Sequence, residues 1–256
     1  MSDVRLSQRG FVGIAEIDRP PNNFFDKELI GDLAEAFDGF VAAGLRAIVL
    51  CAAGKNFCAG ANFSRPASDT VGTGQDRGTD HLYRQAVRLF RCPLPVIAAV
   101  QGAAVGGGLG LSLVGDFRVA SEESRFTANF SRLGFHPGFG LSVTLPRVVG
   151  AQQAALLFYT GRRITGSQAR DIGLVDVLVP TDEIRSAALA LAGEIAVSSP
   201  IAVRSTRATL RAGLADAIAA ATEHELAEQQ RHFATADFKE GVRAMAERRE
   251  PNFTGS

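Results

Sequence analysis

Two stretches of the chain carry residues from which chemistry can be argued, VLCAAGKNFCAGANF (49–63) and AAVQGAAVGGGLG (98–110). Each runs from an apolar segment into glycines and small residues. Glycine lets a ligand approach the main chain closely, and free N–H groups at the start of a helix carry about half a positive charge. Both stretches can therefore present amide hydrogens to a ligand oxygen. Other glycine-rich chemistries fail on spacing. A dinucleotide fingerprint has glycines at n, n+2 and n+5, yet Gly106 and Gly108 lead to Leu111, and Gly108 and Gly110 lead to Leu113. A phosphate-binding loop needs Lys after its final glycine, and here Gly107 is followed by Gly108. A nucleophile elbow needs glycine two residues before and two after its serine; Ser112 has Gly110 before it but Val114 after it. Spacing alone leaves a plainer alternative open, that the glycines let a helix pack tightly on a sheet.

The elements that must position these stretches follow from periodicity. Val12 to Asp18, Arg46 to Ala52, Leu94 to Val100 and Asp116 to Ser121 read as strands, three of them apolar enough to be buried. Lys27 to Ala43 has helical spacing, with Gly44 as its stop, and His81 to Phe90 recovers that spacing after a Gly/Ser/Thr/Asp-rich loop over 64–80. RFTANFSRLGFHPGFG (125–140) reads as loop and turn. Beyond Gly150 helices are expected at Ala151 to Tyr159, Ser167 to Ile172, Asp182 to Val197, Pro200 to about Ala221 and Phe238 to Arg249. The pattern is α/β, with a core over 1–180 and a helical region over 181–256 whose apolar faces pack on the core or on another subunit.

Composition narrows the partners. The 256 residues include 27 basic and 27 acidic side chains, so no global field favours nucleic acid or an anionic membrane. Cys51, Cys58 and Cys92 form no CxxC pair, which argues against a disulfide framework or a zinc site and for a reducing cytoplasm. The first ten residues lack the apolar core of a signal peptide, and no window approaches the ~20 apolar residues of a membrane span.

Four segments in order resemble the crotonase, or enoyl-CoA hydratase/isomerase, family. KNFCAGANF is similar to K-x-F-C/S-A-G-A-D, and VQGAAVGGGLGLSLVGDFRVA to V-x-G-x-x-x-G-G-G-x-E-L-x-x-x-C-D. GRRITGSQARDIGLVDVLVP and DFKEGVRAMAERREPNF resemble the family's later motifs. The resemblance implies a crotonase-like spiral of ββα turns with two roughly perpendicular sheets, a helical C-terminal region, and homotrimers or dimers of trimers. It implies an acyl-CoA thioester as ligand, with no cofactor beyond the coenzyme A of the substrate. The thioester oxygen is expected between the N–H groups of Ala61 and Gly107, where negative charge develops in enolate-like chemistry. Ala59, Asn62, Phe63 and Gly106 fall among the substrate-binding positions, as do Asn23 and Phe24 near the CoA entrance. Arg248 stands where relatives place a basic residue that reaches a neighbouring subunit's nucleotide; a charged helix end explains it equally well.

At the acid and base positions the chain departs from the hydratase pattern. Counting from the motifs, the two hydratase glutamates fall on Gly110 and Phe130, and neither moves a proton. His136, in the GFHPGFG turn that faces the acyl part of the pocket in the family, is the candidate substitute; its alternative is a structural histidine. Asp80, His81 and Tyr83 lie where relatives place specificity residues, or simply start a helix. The resulting expectation is a CoA-thioester enzyme with weak or no hydratase activity. A non-catalytic acyl-CoA binder, or an isomerase, decarboxylase or thioesterase on the same fold, remain the alternatives.

Overall fold

The computed structural model describes residues 3–63 and 81–256. Its larger sheet has six strands in the order β1 (Val4–Arg9), β2 (Val12–Ile17), β3 (Ala47–Ala52), β4 (Val96–Val100), β6 (Phe117–Ala120) and β9 (Val177–Leu178). Only the β1–β2 pair is antiparallel. A second sheet joins β5 (Ala103–Val105), β7 (Arg125–Thr127) and β8 (Arg163–Thr165).

The central strands are apolar on both faces because both are covered. Ala15, Ile17, Ile48, Leu50, Val96 and Ala98 belong to one core together with α1 (Lys27–Ala42) and α2 (Leu82–Arg91). Their alternates Val12, Ile14, Ala47, Val49, Ile97 and Ala99 pack with Ile184, Ala188, Ala192 and Ala196 of a C-terminal helix. Asp26 starts α1 by accepting the Leu29 N–H at 2.9 Å, a cap worth ~1 kcal/mol. Between these elements stand α3 (Gly107–Ser112), α4 (Leu141–Thr160) and α5 (Gly166–Asp171); the chain continues through α6 (Ile184–Ala196), α7 (Pro200–Leu210), α8 (Leu214–Phe233) and α9 (Ala236–Glu247).

The expected mixed α/β architecture with two sheets and a helical C-terminal region is present. Several elements differ from their sequence reading. The helix expected from Pro200 to about Ala221 breaks at Gly213, whose φ of +73° lies in the left-handed region. The helix expected from Ala151 begins ten residues earlier and is interrupted at Gly150, φ +79°. β5, β8 and β9 are too short for alternation to register, and β7 lies inside the stretch read as loop. β1 is a polar edge strand buried only at Val4, so it carries no apolar alternation. The 64–80 loop lies outside the described residues.

Candidate active site

β3 and β4 are parallel neighbours, Ile48 opposite Val96 and Leu50 opposite Ala98, so the two glycine-rich stretches leave the sheet at the same end. Backbone hydrogen bonds then knit them together. The Cys58 N–H donates to Ala103 O and the Val105 N–H to Cys58 O, each at 3.0 Å, and the Phe25 N–H donates to Gly60 O at 3.0 Å. Gly106 turns the chain from β5 into α3 at φ +54°, ψ −119°, a combination that L side chains rarely adopt. Steric space fixes its neighbours. A Cβ on Gly108 would stand 2.1 Å from Cys58 O, and one on Gly107 2.3 Å from Phe25 Cζ. Ala61 and Gly107 thus end on adjoining segments, and neither N–H has a backbone acceptor among the described residues. Cys58 is no nucleophile here, because burial pushes its thiol up to about 12.

These segments wall a cavity of about 640 Å³. Phe24, Phe25, Phe63, Phe130, Phe135 and Phe139 line it, together with Ala59, Ala61, Asn62, Gly106 and Gly107. Its polar side chains also include Tyr83, Thr127, Asn129, Arg132, Arg163 and Gln229. Among the described residues the wall holds no Asp, Glu, His, Lys or Cys. It can therefore bind and polarise a ligand through amides, with Tyr83 as its one hydroxyl-bearing aromatic.

Three residues expected at the site lie elsewhere, and Arg248, expected at a neighbouring subunit's nucleotide, lies outside this cavity. Gly110 does not line the cavity; a Cβ there would fall 2.9 Å from the Phe139 ring, so Phe139 fills the space. Asn23 is fully buried and holds a turn: its Nδ2 donates to Ala53 O at 2.8 Å and Asn56 O at 2.7 Å, and its Oδ1 accepts the Arg19 N–H at 2.9 Å. It positions Phe24 and Phe25 rather than touching the cavity. His136 lines a second cavity, of about 550 Å³. The 135–139 turn faces the first cavity through Phe135, Gly138 and Phe139, while His136 and Pro137 point to the other side. There the His136 ring is tied by Nδ1 to Pro137 O at 2.8 Å, and its backbone N–H donates to His232 Nδ1 at 3.1 Å. Arg248 is the exposed, left-handed residue that ends α9, whose Met245 and Ala246 do line the cavity.

A polar cluster that sequence reading only partly reached stands behind the aromatic wall. Tyr83 and Gln229 are both buried, and Tyr83 Oη donates to Gln229 Oε1 at 2.7 Å across 146 residues of sequence. Gln229 Nε2 in turn donates to His136 O at 2.9 Å. One turn earlier on α8, buried Glu225 accepts the Gly140 N–H at 2.8 Å, the Ser142 N–H at 3.0 Å and Ser142 Oγ at 2.5 Å. Burial pushes the Glu225 carboxyl up, against hydrogen bonds from Ser142 and Gly140 that pull it down. Burial, then the charge of Glu225, pushes the Tyr83 phenol up, so Tyr83 is a neutral hydroxyl and not a base. Nothing local marks Gln229, since its role exists only where α8 crosses α2.

Known proteins share this fold. The family model for enoyl-CoA hydratase/isomerase matches residues 8–256. A "Probable enoyl-CoA hydratase" of Bacillus subtilis is 31% identical over 257 residues, covering 100% of both chains. The "1,2-epoxyphenylacetyl-CoA isomerase" of Escherichia coli is 31% identical over 93% of each. Among solved structures, an enoyl-CoA hydratase/isomerase from Pseudoalteromonas atlantica T6c superposes with a TM-score of 0.87 at 29% identity, over 98% of this chain and 100% of that one. The family match spans nearly the whole chain, and the fold and the glycine-lined cavity agree with it: the chain belongs to the enoyl-CoA hydratase/isomerase, or crotonase, family.

Proposed function

We propose that the chain processes an acyl-CoA thioester whose carbonyl oxygen is held between the N–H groups of Ala61 and Gly107. The observation that carries this reading is that Ala61 and Gly107 line one apolar cavity, neither N–H having a backbone acceptor among the described residues. Charge on the thioester oxygen grows as an enolate forms, and each preorganised donor is worth ~3 kcal/mol in that transition state. Ala59, Asn62, Phe63 and Phe24 lie on the wall where the CoA arm enters, and no cofactor other than that CoA is used. Arg248, exposed beyond its own cavity, serves a neighbouring subunit's nucleotide in a homotrimer or dimer of trimers. Three buried free thiols suit a reducing cytoplasm.

Hydration of an enoyl thioester needs one group to activate water and another to protonate carbon. With Gly110 packed under Phe139, an apolar Phe130, and no carboxylate or imidazole on the described wall, that reaction is slow in this protein. The same features favour two further readings: a rearrangement such as isomerisation, which the name of the Escherichia coli relative carries, or binding without turnover. The test is turnover of crotonyl-CoA alongside calorimetric titration with acyl-CoAs. Binding with kcat far below ~10³ s⁻¹ is expected; a kcat at or above that value overturns the weak-hydratase reading, and no binding overturns the thioester reading.

A further inference from the structure

Asn23 uses both amide hydrogens and the oxygen of its side chain inside the protein. It is fully buried at φ +49°, a left-handed conformation that asparagine tolerates better than most residues. Its Oδ1 accepts the Arg19 N–H at 2.9 Å, which closes a local turn. Its two Nδ2 hydrogens go further, to Ala53 O at 2.8 Å and Asn56 O at 2.7 Å, 30 and 33 residues along the chain. A turn needs only the first bond; the other two clamp the 22–25 segment onto the stretch that runs from β3 towards Ala61. Asn56 extends the clamp, since its Oδ1 accepts the Ala103 N–H at 3.2 Å, at the start of the strand that leads to Gly107.

The clamp holds one peptide unit in place. The Phe25 N–H donates to Gly60 O at 3.0 Å, and Phe25 and Ala61 form a parallel β-bridge. Beside it the Ala59 N–H donates to Asn22 O at 2.9 Å. Gly60 is pressed from the other side, where a Cβ would stand 2.7 Å from Val105 O. Gly60 O and the Ala61 N–H belong to the same planar trans peptide, so they point in opposite directions. Holding Gly60 O against Phe25 therefore turns the Ala61 N–H away from the 22–25 segment and fixes its direction. It also strengthens that N–H as a donor, because an amide whose oxygen accepts a hydrogen bond is polarised along its length.

We propose that Asn23 is a positioning residue for the Ala61 amide: through Phe25 and Gly60 it sets the direction and donor strength of the N–H offered to the thioester oxygen. The inference rests on the acyl-CoA reading above and adds to it a residue that does not touch the ligand.

The test is the infrared carbonyl stretch of hexanoyl-CoA, isotope-labelled at the thioester carbonyl and bound to the full chain, read beside calorimetric affinity for S-hexyl-CoA, a thioether with no carbonyl. The unaltered protein is expected to lower the stretch relative to water. Asn23→Gly keeps the left-handed backbone and loses all three side-chain bonds. It should lose about half of that shift or more, and weaken hexanoyl-CoA about threefold or more relative to S-hexyl-CoA, the worth of part of one hydrogen bond. Asn23→Ser, which retains a single donor, should move the same way by less, and carries the test if Asn23→Gly does not fold. Ile184→Ala, in the core on the opposite face of the sheet, measures what general loosening does; it should lower Tm and leave the stretch alone. A stretch unchanged in the Asn23 variants, or lost equally in Ile184→Ala, overturns the role of Asn23 and leaves the thioester reading standing. A carbonyl that does not shift on the unaltered protein, or no binding at all, overturns both.

Discussion

Position 110 illustrates how one residue's chemistry depends on a partner far away in sequence. The family pattern places an acid there; the chain has glycine, and the Phe139 ring occupies the volume. Phe139 is buried and held at φ +64°, a left-handed conformation that costs a non-glycine residue about 1–2 kcal/mol. Its contacts with Phe25 and Phe90 hold it there. Gly110→Glu therefore does not simply restore an acid. We expect the added side chain to collide with Phe139 and lower stability by about 1–3 kcal/mol, roughly 2–10 °C in Tm, with no gain in crotonyl-CoA hydration. Thermal unfolding with a hydratase assay checks this; a stable, active variant would show that the cavity makes room for the carboxylate. The absence of an acid at 110 and 130 was legible in the sequence. That Phe139 fills the vacated volume was not, because the 135–139 turn and α3 meet only in three dimensions.

Among the elements, α9 ties the C-terminus to the cavity. Glu240 accepts hydrogen bonds from Arg249 at 2.5 and 3.0 Å, from the Asn252 N–H at 2.9 Å, and from Arg243. This folds the last residues back onto the helix that brings Val242, Met245 and Ala246 to the wall. Hydrogen bonds from Arg249, Asn252 and Arg243 hold the Glu240 carboxyl well below its ordinary 4.5. A carboxyl depressed in the folded state contributes its stability in full above the ordinary value and loses it as pH falls below. The native protein should therefore unfold at a higher temperature than Glu240→Gln at pH 7, and the gap should narrow as pH drops from 4.5 towards 3. A gap that stays constant with pH would remove Glu240 from the account. The helix itself was legible from its apolar spacing within two residues at each end, Phe238 to Arg249 against Ala236–Glu247. Its place over the cavity was not, since periodicity tells which face is buried and not against what. The same limit applies to His136: its turn does border the cavity, but His136 and Pro137 line a second one.

At the scale of the molecule, the isolated chain exposes Tyr159, Val197 and Ile201 at 82%, 83% and 81%. Large apolar side chains exposed this far fit a surface covered by further copies, as the proposed trimer requires. Sedimentation equilibrium should give a mass of three or six chains of 27.0 kDa; a monomer at micromolar concentration would overturn the trimer and with it the role given to Arg248. No single described helix is long and apolar enough to cross a membrane.

By itself the sequence determined the α/β class, the buried central strands and the family, because apolar runs, glycine spacing and four ordered motifs are local properties of the chain. It also determined that Gly110 and Phe130 carry no acid. Only the tertiary structure decided what stands in their place. Parallel pairing of β3 with β4 brings Ala61 and Gly107 to the wall of one cavity, Phe139 closes over Gly110, His136 turns to a second cavity, and α8 carries Gln229 to Tyr83. Each of these is a meeting of residues tens to more than a hundred positions apart. Steric fit and buried hydrogen bonds select such meetings, and neither is written in local spacing.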